Sequence, residues 1–225
     1  MAVSPINIQS DLVTFSIQSN GKEIDPVFQV SSIVIDKFIN KKDSAEITLL
    51  AGNSENGFSE ITDNEIFIPG TKIDIYLGYN NNNEKIFTGS ISKQAVQAKS
   101  GNASLLKIIC GKKNKPLKKI DTATPPSLQV EYGADIMEIE LALNEKYKLS
   151  ALTKYNGYIV FQGSTLAKEN SMLSVKGFGT RFDGNLFISG IEHRISDGNW
   201  LTKVKIGVQR ELLDEFKSLI KKNKK

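Results

Sequence analysis

The sequence predicts a mostly β protein, with two similar antiparallel β-barrels in tandem and one helix at the C-terminus. Three observations predict it. Apolar and polar residues alternate with period two through much of the chain, and polar turn clusters interrupt that alternation at short intervals. The layout of the first half then recurs in the second.

The elements follow in order. "SAEITLL" sets Ala45, Ile47 and Leu49 against Glu46 and Thr48. "TKIDIYLGY" sets Ile73, Ile75, Leu77 and Tyr79 against Lys72, Asp74, Tyr76 and Gly78. "IMEIELAL" sets Met137, Ile139, Leu141 and Leu143 against Glu138, Glu140 and Ala142. Successive side chains on a strand point to opposite faces, so each run fits a half-buried strand. The turn signals between strands are "NKKD", "NNNN", "KSGN" and "SDGN", and residues Asn80 to Asn83 read as a hairpin tip.

The repeat shows at two places. "IVIDKFINKKDSAEITLLAGN" (33–53) gives strand, polar turn and strand, and "IMEIELALNEKYKLSALTKYNG" (136–157) repeats it with "NEKY" where "NKKD" stood. "IFTGSI" (86–91) corresponds to "LFISGI" (186–191), an offset of about 100 residues. The predicted organisation is a first barrel over 1–120, a linker over 121–127 and a second barrel over 128–209. An amphipathic helix and basic tail occupy 210–225. Pro125 and Pro126 in "DTATPPS" disfavour a sheet. Leu212, Leu213, Phe216, Leu219 and Ile220 form a stripe at helical spacing.

"GTRFDGNLFISGIEHRISDGNW" (179–200) holds the only histidine and the only tryptophan, with Asp183, Arg194 and Asp197 near them in sequence. Asp197 and Gly198 suit a two-residue turn in which both positions take positive φ. Counting outward, Ile195 faces Trp200, His193 faces Thr202 and Ile191 faces Val204. On the other side Glu192 faces Lys203, a favourable cross-strand pair. Along the strand each aspartate lies roughly 12 Å or more from the imidazole. His193 is therefore expected to pack, not to react.

Composition narrows the function. With 225 residues, 40% hydrophobic and 24% charged, the chain can bury a core of its own. The +4 net charge is matched by Lys221, Lys222, Lys224 and Lys225 alone, in what reads as a solvated tail. "GKKNKPLKK" (111–119) reads as a solvated loop. No basic stripe interleaved with aromatics points to nucleic acid. No apolar run approaches a membrane span, and "MAVSPINIQSDLVTF" does not read as a secretory signal. Cys110, the only cysteine, excludes an internal disulfide or a cysteine zinc cluster and reads as a buried thiol. No catalytic motif or metal-ligand spacing occurs, so no enzyme, cofactor or metal is expected.

Residues 161–208 resemble the end of the hub region in VgrG spike proteins and the phage late-control D proteins. The matching residues are Gln162-Gly163-Ser164, Leu166-Ala167-Lys168, Gly179, Arg181-Phe182, Gly184, Ser189-Gly190, His193 and Gly198-Asn199-Trp200. The first half agrees through Pro69-Gly70, Leu77-Gly78-Tyr79 and Phe87-Thr88-Gly89. The resemblance implies tube-protein-like barrels and a structural role for Gln162, Gly163, Arg181, Phe182, Gly184, Gly190, His193, Gly198 and Trp200.

It also implies the baseplate hub of a contractile injection system, in a phage tail, a type VI secretion system or an extracellular particle. Such a hub is a homotrimer that adapts a hexameric inner tube to a trimeric spike. The implied partners are the inner tube protein, a spike or needle protein and baseplate components, with no nucleic acid and no stable membrane association. The implied location is the bacterial cytoplasm during assembly, then the apparatus itself. Long insertions of the family are passed over directly here, and the chain reads either as a minimal hub with a separate spike or as a trimmed hub. The alternatives are a tube-like ring protein of the same machinery or a β-barrel ligand-binding module.

Overall fold

The computed structural model describes residues 2–6, 12–51, 64–98, 104–112, 120–143 and 152–208. The first strands are β1 (Val13–Ser19), β2 (Lys22–Glu23), β3 (Val30–Phe38), β4 (Ser44–Leu50), β5 (Lys72–Tyr79), β6 (Asn82–Gln97) and β7 (Leu105–Gly111). There follow β8 (Leu128–Glu131), β9 (Ile136–Leu143), β10 (Tyr155–Gln162), β11 (Ser171–Lys176), β12 (Gly184–Ser196) and β13 (Asn199–Ile206). The described residues are thus almost entirely β, as predicted, with a single 3-10 turn at Glu65–Phe67. The predicted helix and tail (210–225) and the turns at 99–102 and 144–147 lie outside the described residues.

All thirteen strands join one hydrogen-bonded sheet, with the path β2-β1-β5-β6-β7-β4-β3-β12-β13-β10-β9. One arrangement occurs in it twice. The order β5-β6-β7-β4-β3 in the first half is matched by β11-β12-β13-β10-β9 in the second. The two copies meet where β3 pairs antiparallel with β12, from Phe38↔Gly190 to Ser32↔Ser196. They differ at one flank, where β1 lies antiparallel to β5 but β8 lies parallel to β11.

Bulges also recur at corresponding places. A bulge leaves one residue of a strand without an opposite number. It falls at Ser31 in β3 and Met137 in β9, and at Ser92 in β6 and Ser189 in β12. This corrects two readings. Met137 does not share the inward face of Ile139 and Leu141; it is 66% exposed, and Ile136 turns inward instead. Matching "IFTGSI" to "LFISGI" is three residues out of step at the bulge. It equates Phe87, in the first core, with Phe187, in a separate small cluster with Ile39, Met172 and Val208. A third correction concerns the strand after "NEKY": the partner of β9 is Tyr155–Gln162, later than the first-half layout suggested.

Each copy encloses its own apolar core. The first gathers Ile33, Ile35, Ile47, Leu49, Ile73, Ile75, Leu77, Leu106 and Ile108, and the second Ile159, Phe161, Leu173, Val175, Leu186, Ile188, Ile191 and Val204. Each large aliphatic side chain buried this fully contributes about 1.5–3 kcal/mol. Asp74, predicted to face outward on β5, is also covered. It accepts from the Thr88 hydroxyl at 2.6 Å and lies 3.1 Å from Lys72 and 3.6 Å from Lys85. Burial would raise its pKa, but these hydrogen bonds and charges outweigh burial and hold it below the ordinary value. The "NNNN" tip is a turn at Asn80 and Asn81, both with positive φ, tied back to the start of β1 through Leu12 and Thr14.

Candidate functional site: a hairpin wedged between two cores

The register counted outward from Asp197-Gly198 is the register observed. Ile191 faces Val204, Glu192 faces Lys203, His193 faces Thr202 and Ile195 faces Trp200. Both turn residues have positive φ, 52° at Asp197 and 73° at Gly198. The hairpin belongs by sequence to the second half, yet its tip does not pack there. Ile195 and Trp200 join the core of the first half, while Ile191 and Val204 stay in the second. The hairpin therefore bridges the two cores.

Trp200 is held on all sides. Its ring lies 5.2 Å from that of Tyr79 and 5.8 Å from that of His193. A Cβ placed on Gly163 would sit 2.0 Å from Cδ2 of the indole, so only glycine lets this backbone pass. Gly163 donates its N–H to the Trp200 carbonyl at 2.8 Å and accepts from the Tyr79 hydroxyl at 2.9 Å. Tyr79 ends β5 and Gly163 follows β10, so one backbone carbonyl ties the halves together.

Beneath the indole runs a directed chain of hydrogen bonds. Ser164 N–H donates to Thr202 Oγ1 at 3.0 Å, and that hydroxyl lies 3.1 Å from His193 Nδ1. Trp200 Nε1–H points at the same nitrogen from 3.4 Å. The indole N–H can only donate, so Nδ1 carries a lone pair, Thr202 donates its hydroxyl proton to it, and the ring proton is left on Nε2. A protonated ring would set its Nδ1–H against the indole N–H. Burial, together with the Lys37 charge, pushes the His193 pKa down to about 3.

All of the motif residues but Gly190 fall into two groups. Gly163, His193, Gly198 and Trp200 assemble at the wedge, with Gln162 beside it opposite Leu201. Arg181, Phe182 and Gly184 lie elsewhere, in the bend leading into β12. There the Tyr155 hydroxyl donates to the Arg181 carbonyl, and the Phe182 ring lies 6.1 Å from that of Tyr155. Asp183 accepts from Phe178 N–H at 2.7 Å, and Arg194 pairs with Glu192 at 3.2 Å, so neither serves the imidazole. Gly190 passes the Phe38 ring on β3, where a Cβ would come within 2.2 Å. Sequence reasoning missed the Tyr79–Gly163 tie and the role of Phe38. Tyr79 ending an inward-facing run was the one available signal.

A family model described as the Alg8 N-terminal domain matches residues 9–120 and 144–197, most of the chain. The chain belongs to the Alg8 N-terminal domain family. The match takes in Gly163 and His193 and ends at Asp197, the first turn residue. No curated protein matches the sequence. Among solved structures, the tail protein from Neisseria meningitidis MC58 is similar at TM-score 0.62 and 10% identity, covering 89% of this chain and 97% of that one. The tail protein of prophage MuSo2 from Shewanella oneidensis gives 0.60 at 8% identity, over 88% and 96%. The E. coli c3393 protein, a type VI secretion component similar to T4 tail proteins gp27 and gp5, gives 0.52 at 7%, over 87% and 77%. At these identities the likeness is one of fold, and it is the fold that the VgrG and late-control D resemblance implied.

Within this family member the wedge holds structure and offers little reactivity. A histidine with a pKa near 3 and its Nδ1 lone pair engaged is a poor base near neutral pH. Burial pushes the Cys110 thiol up to about 12, leaving it un-ionised. Among the described residues no group of three or more His, Cys, Asp or Glu is placed to hold a metal ion.

Proposed function

We propose that this chain is a non-enzymatic baseplate hub of a contractile injection apparatus, a homotrimer that joins a sixfold inner tube to a threefold spike. One observation carries the reading: the same five-strand arrangement occurs twice, and its two copies meet strand to strand at β3 and β12. A chain of two equivalent units is a ring segment that reads as two toward a sixfold partner and as one toward a threefold partner. The fold shared with phage tail proteins and a type VI secretion component supports the same reading.

The run from β6 through β7, β4, β3, β12, β13 and β10 to β9 supplies eight neighbouring strands. Three copies give a closed wall whose backbone diameter is about 37 Å at ~4.8 Å per strand. The face of this run opposite the cores is wet and mixed in charge. It carries the Lys107–Glu46 pair at 3.2 Å, Glu192 with Arg194, and Lys203 over the Tyr158 ring, whose hydroxyl donates to Glu138 at 2.6 Å. In the ring this face lines the bore, where interspersed charge would keep transiting protein from adhering. The hub forms in the cytoplasm and leaves as part of the apparatus. Mass in solution tests the reading: three times 24.8 kDa, together with capture of the cognate tube protein, is expected. A strict monomer that ignores the tube protein overturns it.

A further inference from the structure

Where the two copies meet inside the chain, β3 covers the lower half of β12. The same two strand positions recur in β9 and β6. Among the described residues nothing pairs with the outer edge of β9, nor with the edge of β6 beyond Ile91 that faces away from β7. The bulges fix which residues correspond. Ser92 matches Ser189, so Gln94 opposite Ile108 matches Ile191 opposite Val204. Met137 matches Ser31, so Ile139 opposite Ile159 matches Ile33 opposite Ile47.

Burial differs in the way a missing neighbour would cause. His193 is 2% exposed under the seam, whereas its counterpart Val96 is 51% exposed. Ile33 and Ile35 are fully buried, but their counterparts Ile139 and Leu141 are only half-buried, and Leu143 is 36% exposed. Open edges with exposed apolar residues are templates for another strand.

We infer that a second copy of this chain lays its β9 against β6, antiparallel, in the register Gln94↔Leu143, Ala95↔Ala142, Val96↔Leu141 and Gln97↔Glu140. This carries the internal seam, residue for residue, to the junction between chains, and it rests on the ring reading above. The register places Val96 and Leu141 on the core side of the joined sheet. It sets Ala95 and Ala142 where the internal seam opposes Glu192 and Asp36, so the like-charge contact is absent between chains. The Gln97 amide faces the Glu140 carboxylate, a donor against an acceptor.

The test is a cysteine pair, Ala95→Cys with Ala142→Cys, in the full chain. Directly opposed Cβ atoms on antiparallel strands lie about 4.5–5.5 Å apart, close enough for a disulfide after slight adjustment. Within one chain the two positions are separated by roughly 34 Å along the sheet, so a bond reports contact between chains. Mild oxidation is expected to give covalent dimers and trimers and nothing larger. Each single variant, and the slipped pair Ala95→Cys with Leu141→Cys, should stay single on a denaturing gel. Val96→Lys, exposed in the lone chain, is expected to keep the far-ultraviolet spectrum and reduce the mass to one chain. A trimeric mass without the disulfide, or a trimer that survives Val96→Lys, overturns the edge pairing and leaves the ring standing. A monomeric mass of the unmodified protein at every concentration overturns both.

Discussion

Gly163→Ala adds one methyl group at a place where no positive φ is required and the nearest obstacle is the indole. The new carbon would lie 2.0 Å from Cδ2 and 2.1 Å from Cγ of Trp200. Carbon atoms settle at about 3.5–4.0 Å, so the ring must retreat by roughly 1.5 Å. It has nowhere to go, with Tyr79 and His193 packed against it and its own exposure only 2%. Overpacking of this kind costs about 1–3 kcal/mol, and the rigid surroundings put this case near 3. Trp200→Ala alone removes the buried indole and costs about 3–5 kcal/mol.

The two changes should not add. Once the indole is gone the Gly163 methyl points into the space it left, so the double variant should be no less stable than Trp200→Ala alone. The expected coupling is about 3 kcal/mol in the compensating direction. Urea unfolding at fixed protein concentration, followed by far-ultraviolet circular dichroism, measures it, because Trp200 is the only tryptophan and its fluorescence disappears in two of the variants. By melting, Gly163→Ala alone should lose about 6–12 °C. Additive losses, or an unchanged melting temperature for Gly163→Ala, would refute the wedge.

Three further outcomes follow from the same geometry. His193 titrates near 3 when folded and near 6.5 when unfolded, so the unfolded chain binds the extra proton between those values. Stability should then be complete above pH 6.5 and fall by about 2 kcal/mol by pH 5, a slope that His193→Gln removes in pH-dependent urea melts. Cys110 should ignore iodoacetamide at pH 8 and react fully in denaturant, as mass spectrometry would record; rapid labelling of the native chain would contradict its burial. Gly198→Val forces a β-branched residue to φ 73° and should cost about 1–2 kcal/mol in the same melts, with an unchanged midpoint refuting the turn geometry.

Much of the hairpin was legible because several local signals agreed on one register: a turn pair needing positive φ, an apolar ladder and the Glu192–Lys203 opposition. The destination of its tip was not legible. Nothing in "ISDGNW" says that Ile195 and Trp200 fill the other half's core, because that contact depends on how β3 meets β12. Bulges were invisible for a related reason. Met137 carries no composition that marks an unpaired residue, so alternation read straight through it, and nothing marks Ser92 and Ser189 as equivalent, so the repeat slipped by three positions. The unpaired edges turn the same argument around. "ISKQAVQ" and "MEIELAL" carry the patterning of paired strands, yet Val96 and Leu143 stand exposed there, while their matches along the seam, His193 and Lys37, are buried and half-buried. Under the edge pairing proposed above, that unsatisfied patterning is met by a second chain, and the covered copy of the same seam specifies which residues should meet.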